Sequence, residues 1–210
     1  MEKQKQKQER KAYDYAKPIY GKTCRPLTRI ARIKHIKNLV NILKTVKHTD
    51  EMLAAAWLFD LFNRKDITDE SRDKFLAEIN TKFSTKIALI LDGCLPKTNT
   101  SDGDFYFRKN KDLEYYTRFT SQSQTIKIAD SLEYLQSIRT TEFYTKADDG
   151  EKRKTRIKNI LLPAEEKLAK SLLKAEPNIR QLLLNTIELM HQELEKFAST
   201  TQNDHAPNQL

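Results

Sequence analysis

Met52-Leu53-Ala54-Ala55-Ala56-Trp57-Leu58-Phe59-Asp60 is apolar on every side until its last residue. A helix that is hydrophobic all round, with three successive alanines that let neighbours approach closely, belongs at the centre of a helical domain. Thr49-Asp50 just before it is an N-cap signal. The stretch therefore predicts a central core helix, and the rest of the chain must supply helices to cover it.

The flanks supply them. On the N-terminal side Ile30, Ile33, Ile36, Leu39, Val40 and Leu43 recur at steps of three and four, one buried helix face, with Pro26 suited to its start. On the C-terminal side Thr68-Asp69-Glu70 opens a helix marked by Phe75, Leu76, Ile79 and Phe83. Ser84 caps a short helix from Ile87 to Leu91 that stops at Gly93. The polar stretch from Lys97 to Gly103 reads as a loop, followed by a helix near 109–120 rich in aromatic residues. Ser123 begins a helix carrying Ile126, Ile128, Ala129, Leu132, Leu135 and Ile138, and Asp148-Asp149-Gly150 is a second loop. Pro163 and Pro177 fit the first turns of two closing helices, the last ending near Phe197. With only four glycines and six prolines in 210 residues, long helices are favoured over tight turns. The expected fold is all-α, with 1–11 a basic Lys/Gln arm, 12–198 the domain and 199–210 a disordered tail.

Composition narrows the function. No apolar run approaches the ~18 residues that span a bilayer, and Met1-Glu2-Lys3-Gln4-Lys5 lacks the apolar stretch of a signal peptide, so a cytoplasmic protein without a membrane partner is expected. Cys24 and Cys94 share no motif and read as free thiols. The net charge of +9 is local: residues 1–37 hold twelve Lys/Arg against three Asp/Glu, and the remainder holds 26 of each. Such a segment can meet nucleic acid, an anionic membrane surface or a phosphorylated small molecule, or be a solvated helix that meets nothing; the rest of the sequence favours phosphate.

Three apolar helices each carry one candidate metal ligand: His35 among isoleucines, Asp60 at the end of the core helix, and Asp130 after Ile126-Lys127-Ile128-Ala129. A carboxylate at the edge of a buried helix is costly unless it is paired, hydrogen-bonded or on a metal. Singly, a buried His is more often a satisfied core residue and a helix-terminal Asp a solvent one; the order and contexts of all three give them weight together. Ile33-Lys34-His35-Ile36, Leu53 to Asp60, and Gln124 to Asp130 followed by Ser137-Ile138 resemble the HD superfamily of metal-dependent phosphohydrolases. The likeness is to its guanosine tetraphosphate (ppGpp) pyrophosphohydrolase branch, SpoT-like with small single-domain members, and it covers roughly residues 12–190. It implies an HD-domain-like orthogonal helical bundle of about eight to ten helices, a divalent cofactor such as Mn2+ on His35, Asp60 and Asp130, and a guanine nucleotide as ligand.

The same resemblance exposes departures. Phe59 stands where the family has the His of its His-Asp dyad, and a phenyl ring offers a metal no lone pair. Asn63 and Arg64 occupy the positions of the acidic pair that activates water; Asn63 cannot take a proton and Arg64 reverses the charge. Tyr134 replaces an Asn that helps hold nucleotide, and Tyr20 a common His. Lys22 and Arg25 match the basic region that meets phosphate or base, and Arg clamps phosphates with paired hydrogen bonds. Three readings follow. The first is an impaired homologue that binds a phosphorylated nucleotide or a protein partner, with Arg64 neutralising Asp60 or Asp130 in place of the ion. The second is an active hydrolase using Asp66, Asp69 or Glu133 as base, with a divalent ion held by fewer protein ligands. The third, less favoured, is a nucleic-acid binder using the arm and residues 17–37; it lacks a helix-turn-helix or RNA-recognition motif, and the aromatics at 105–119 suit a core better than base stacking.

Overall fold

The computed structural model describes residues 2–21, 23–25, 28, 30–63, 69–98, 101–140 and 150–203. Among them the chain is helical, in the order α1 (Glu2–Tyr20), α2 (Arg32–Lys44), α3 (Asp50–Phe59) with a 3-10 turn at Asp60–Asn63, α4 (Asp69–Lys82), α5 (Thr85–Asp92), α6 (Phe105–Tyr116) and α7 (Ser121–Arg139). It closes with α8 (Gly150–Arg156), a π-helical stretch Ile157–Leu161, α9 (Leu162–Ser171) and α10 (Pro177–Asn203). The all-α expectation holds.

α3 is the centre. Met52 to Phe59 are all buried, and α1, α2, α5 and α7 pack round them. Its first turn is capped by Thr49, whose hydroxyl accepts the Met52 N–H at 3.2 Å. At its other end Tyr20, buried in the last turn of α1, donates its hydroxyl to the Trp57 carbonyl at 2.8 Å, satisfying one of the carbonyls that a helix end leaves open. Gly21 then ends α1 at φ +47°, in the left-handed region that glycine enters without strain.

Several boundaries differ from the sequence reading. α2 starts at Arg32 and not at Pro26, which lies outside the described residues. Before α2, residues 23–25 lie against residues 30–32: Cys24 and Ala31 form an isolated antiparallel bridge, the Arg25 N–H donates to the Ile30 carbonyl, and the Arg32 N–H donates to the Thr23 carbonyl, both at 2.9 Å. α6 starts four residues early because Asp104 caps it, accepting the Phe107 N–H at 2.8 Å. α7 starts early under Thr120, which accepts the Ser123 N–H. α10 runs past Phe197 to Asn203. Gln8 and Glu9, within the expected arm, donate their backbone N–H groups to the Asp50 carboxylate at 3.1 and 3.2 Å, so this part of α1 is tied to the start of α3.

α5 meets α7 end to end at Gly93. A Cβ there would lie 2.5 Å from Phe119 Cδ1 and 2.6 Å from Ser123 Oγ. Ser123 in turn donates to the Ile90 carbonyl at 3.0 Å. This close approach fixes the α7 axis, and with it the placement of Asp130 two turns on.

Candidate functional site

On α7, Lys127, Asp130, Tyr134 and Ser137 follow at three- and four-residue steps, with Glu133 beside them, so a helix sets them along one side. α2 lies against this side and brings Arg32, His35 and Asn38. The backbone pairing of residues 23–25 with 30–32 brings Arg25 to the cluster. The site is thus a meeting of α2, α7, the α3 terminus and one irregular loop.

His35 is fully buried. Its Nδ1 hydrogen-bonds to Glu133 Oε2, which also fixes the orientation of the ring. The other oxygen of Glu133 accepts from Asn38 Nδ2 at 3.1 Å and from Ser137 Oγ at 2.7 Å. Burial pushes the Glu133 carboxyl up, but the bonds from His35, Ser137 and Asn38 outweigh it and hold the group below its ordinary range. His35 Nε2 faces Asp130 Oδ1 at 3.2 Å without the alignment of a hydrogen bond. Burial alone would lower the imidazole pKa; the two carboxylates reverse that and raise it above 6.5.

Cations close round the carboxylates. Arg25 Nη2 stands 3.5 Å from Asp130 Oδ1, its Nη1 3.3 Å from His35 Nδ1 and 4.0 Å from Glu133 Oε2. Its guanidinium lies over the Tyr134 ring, 4.9 Å from the centroid, a cation–π contact worth about 0.5–2 kcal/mol depending on desolvation. Lys127 Nζ is 3.5 Å from Asp130 Oδ2 and also lies over the rings of Phe59 and Tyr116, at 5.1 and 5.2 Å. Although burial raises the Asp130 carboxyl, Arg25, His35 and Lys127 together hold it far below the usual carboxylate range. Asp60, buried at the C-cap of α3, meets Arg32: Nη1 reaches the Asp60 carbonyl at 3.2 Å and its Oδ2 at 3.3 Å.

Of the residues singled out in the sequence, His35 and Asp130 are brought into contact, Asp60 is joined to α2 through Arg32, and Arg25 and Tyr134 stack at the mouth. Phe59 is buried beneath Lys127. Lys22, Arg64 and Asp66 lie outside the described residues, as do the side chains of Asn63 and Asp69. The reading that Arg64 replaces an ion falls outside the described residues; among those described, Arg25, Arg32 and Lys127 stand at the carboxylates. Lys127 was legible in principle, three residues before Asp130 on a helix. Arg25 and Arg32 reach the cluster through a backbone pairing that no hydrophobic period announces.

Among the described residues, the side chains at this cluster make a poor set of ligands for a divalent ion. Phe59 contributes no donor, each candidate carboxylate already faces Lys or Arg, and among the described residues no three His, Cys, Asp or Glu side chains converge as a metal site requires. Among the described residues, His35 Nε2 with Asp130 Oδ1 and His35 Nδ1 with Glu133 Oε2 are adjacent pairs with metal-ligand chemistry.

The helical arrangement has a solved counterpart. The structure matches that of a metazoan orthologue of SpoT that hydrolyses ppGpp, with a TM-score of 0.65 and 15% sequence identity, covering 87% of this chain and 94% of that one. The two chains share this helical fold, as the sequence motifs implied. At this identity the likeness establishes the fold. No family model matches the chain, and no curated protein sequence does either. Among the described residues no helix is long and apolar enough to cross a membrane.

Proposed function

We propose that this chain is a hydrolytically impaired homologue of ppGpp hydrolases that binds a phosphorylated guanine nucleotide at the mouth of the Arg25–Tyr134 pair. The observation that carries the reading is the set of ion pairs, Arg25 and Lys127 on Asp130 and Arg32 on Asp60. In a metal-assisted hydrolase those carboxylate oxygens hold the ion that lowers the pKa of the attacking water. Here they hold guanidinium and ammonium groups, which neutralise charge and provide no open coordination position.

The same geometry disfavours Glu133 as the base. A general base needs a free lone pair within hydrogen-bond reach of its proton. Glu133, the one alternative base whose side chain is described, accepts from His35, Asn38 and Ser137 and has a depressed pKa. Binding is less affected. Arg25 keeps about a fifth of its side chain exposed, stacked on an aromatic ring. That is the geometry in which Arg presents its edge to phosphate and its face to a base.

Incubation with guanosine tetraphosphate and Mn2+, followed by chromatography of the nucleotides, tests the proposal. Intact nucleotide is expected. Stoichiometric pyrophosphate release that disappears in Asp130→Asn refutes it. The adjacency of His35 Nε2 and Asp130 Oδ1 keeps one second reading in play, an active enzyme with a rearranged metal site, and the same assay decides between the two.

A further inference from the structure

α1 and α2 both pack on α3 but barely on each other. Between them runs an open cleft of about 870 Å³, floored by Trp57. It lies on the face of α2 that carries Lys37, Asn41 and Lys44, whereas His35 points into the core. One wall is Lys7, Arg10 and Lys11 from α1; the other is those three residues of α2. Two acids also line it, and both are already engaged: Glu9 accepts Lys44 Nζ at 2.6 Å and Trp57 Nε1 at 3.4 Å, and Asp14 accepts Arg10 Nε at 2.9 Å. Five cations against two committed carboxylates leave a net positive cleft. Lys7 and Lys37 are exposed, with no acidic partner among the described residues.

We propose that this cleft is a second binding site, separate from the Arg25 site, and that it takes the backbone of a single-stranded nucleic acid. The spacing of the charges selects the ligand. At a rise of about 1.5 Å per residue, Lys37 and Lys44 stand roughly 10 Å apart along one wall, with Lys7 on the other. Lys11 is already engaged, its Nζ donating to the Lys82 carbonyl at 2.5 Å and lying over the Phe83 ring. A single phosphate meets one of Lys7, Lys37 and Lys44, whereas an extended chain of phosphates reaches all three. The aromatic at the edge is not free to stack on bases, because Arg10 and Lys17 lie over the Tyr13 ring at 5.4 and 5.5 Å, and Trp57 meets it edge-on at 4.8 Å. The cleft therefore contacts backbone and not base, and it is indifferent to sequence.

The test is fluorescence anisotropy of the full chain with labelled oligouridylate and oligoadenylate over a salt series. Both oligomers bind equally. With about three phosphates neutralised, log affinity falls against log salt with a slope near −2, about twentyfold weaker at 200 than at 50 mM. The double variant Lys7→Gln/Lys37→Gln, at two exposed positions that should leave the melting temperature unchanged, flattens the slope by about 1.4. The Arg25→Ala variant leaves this binding intact, which separates it from the nucleotide reading: either site can fail without the other. The proposal is overturned if neither oligomer binds, if the double lysine variant binds as tightly as the parent, if Arg25→Ala abolishes binding, or if tripolyphosphate or polyglutamate binds and the oligomers do not.

Discussion

Asp130 shows how one carboxylate can be satisfied in two ways. In a metal site its oxygens serve an ion; here Oδ1 faces His35 and Arg25, and Oδ2 faces Lys127. A buried ion pair contributes little net stability compared with an apolar replacement, but removing one partner strands the others, at a cost on the order of 3–5 kcal/mol. Asp130→Ala is therefore expected to destabilise the fold by about 3 kcal/mol in urea unfolding, since it leaves Arg25, Lys127 and His35 without their shared anion. The Asp130→Ala/Arg25→Ala pair should cost clearly less than the sum of the single changes, because the second change removes a charge that the first had stranded. Strict additivity would mean that the two side chains do not interact in solution.

At the scale of elements, the account depends on the junction that positions α7. Gly93 has an ordinary φ of −69°, so its constraint is space and not backbone conformation. Gly93→Ala forces Phe119 and Ser123 apart and is expected to cost about 1–3 kcal/mol, read as a lower urea midpoint with unchanged slope. An unchanged midpoint would show that the α5–α7 contact is loose. This scale also shows what a single sequence reveals. α3, α5 and the body of α7 were legible because an apolar period and a side-chain cap coincide, at Thr49 and Ser84 above all. α2 starts later than its apolar period suggests because residues 23–25 pair backbone to backbone with residues 30–32, and such bonds leave no trace in side-chain type. That same segment carries Arg25 and leads into Arg32. His35, Asp60 and Asp130 could be found from their contexts, whereas the cations that meet them follow only from the path of the chain.

Over the whole molecule, six of the twelve Lys and Arg residues in the basic first 37 serve two places. Arg25 and Arg32 serve the buried cluster, while Lys7, Arg10, Lys11 and Lys37 line the α1–α2 cleft. A protein whose site is held by its own cations should be indifferent to metal. A ligand that binds only the native state raises stability by RT ln(1 + [L]/Kd). Thermal unfolding is therefore expected at the same temperature with chelator and with excess Mn2+. A rise of several degrees with Mn2+ that is lost in Asp60→Asn would reveal a functioning metal site.

The most direct measurement of the central claim is calorimetric titration of guanosine tetraphosphate into the protein in the presence of EDTA, with the nucleotide analysed afterwards. If Arg25 and its neighbours have taken over the place of the ion, a saturable one-to-one heat persists without metal. It disappears in Arg25→Ala, and the nucleotide is recovered uncleaved. Heat that appears only when Mn2+ replaces EDTA, together with released pyrophosphate, would contradict the account.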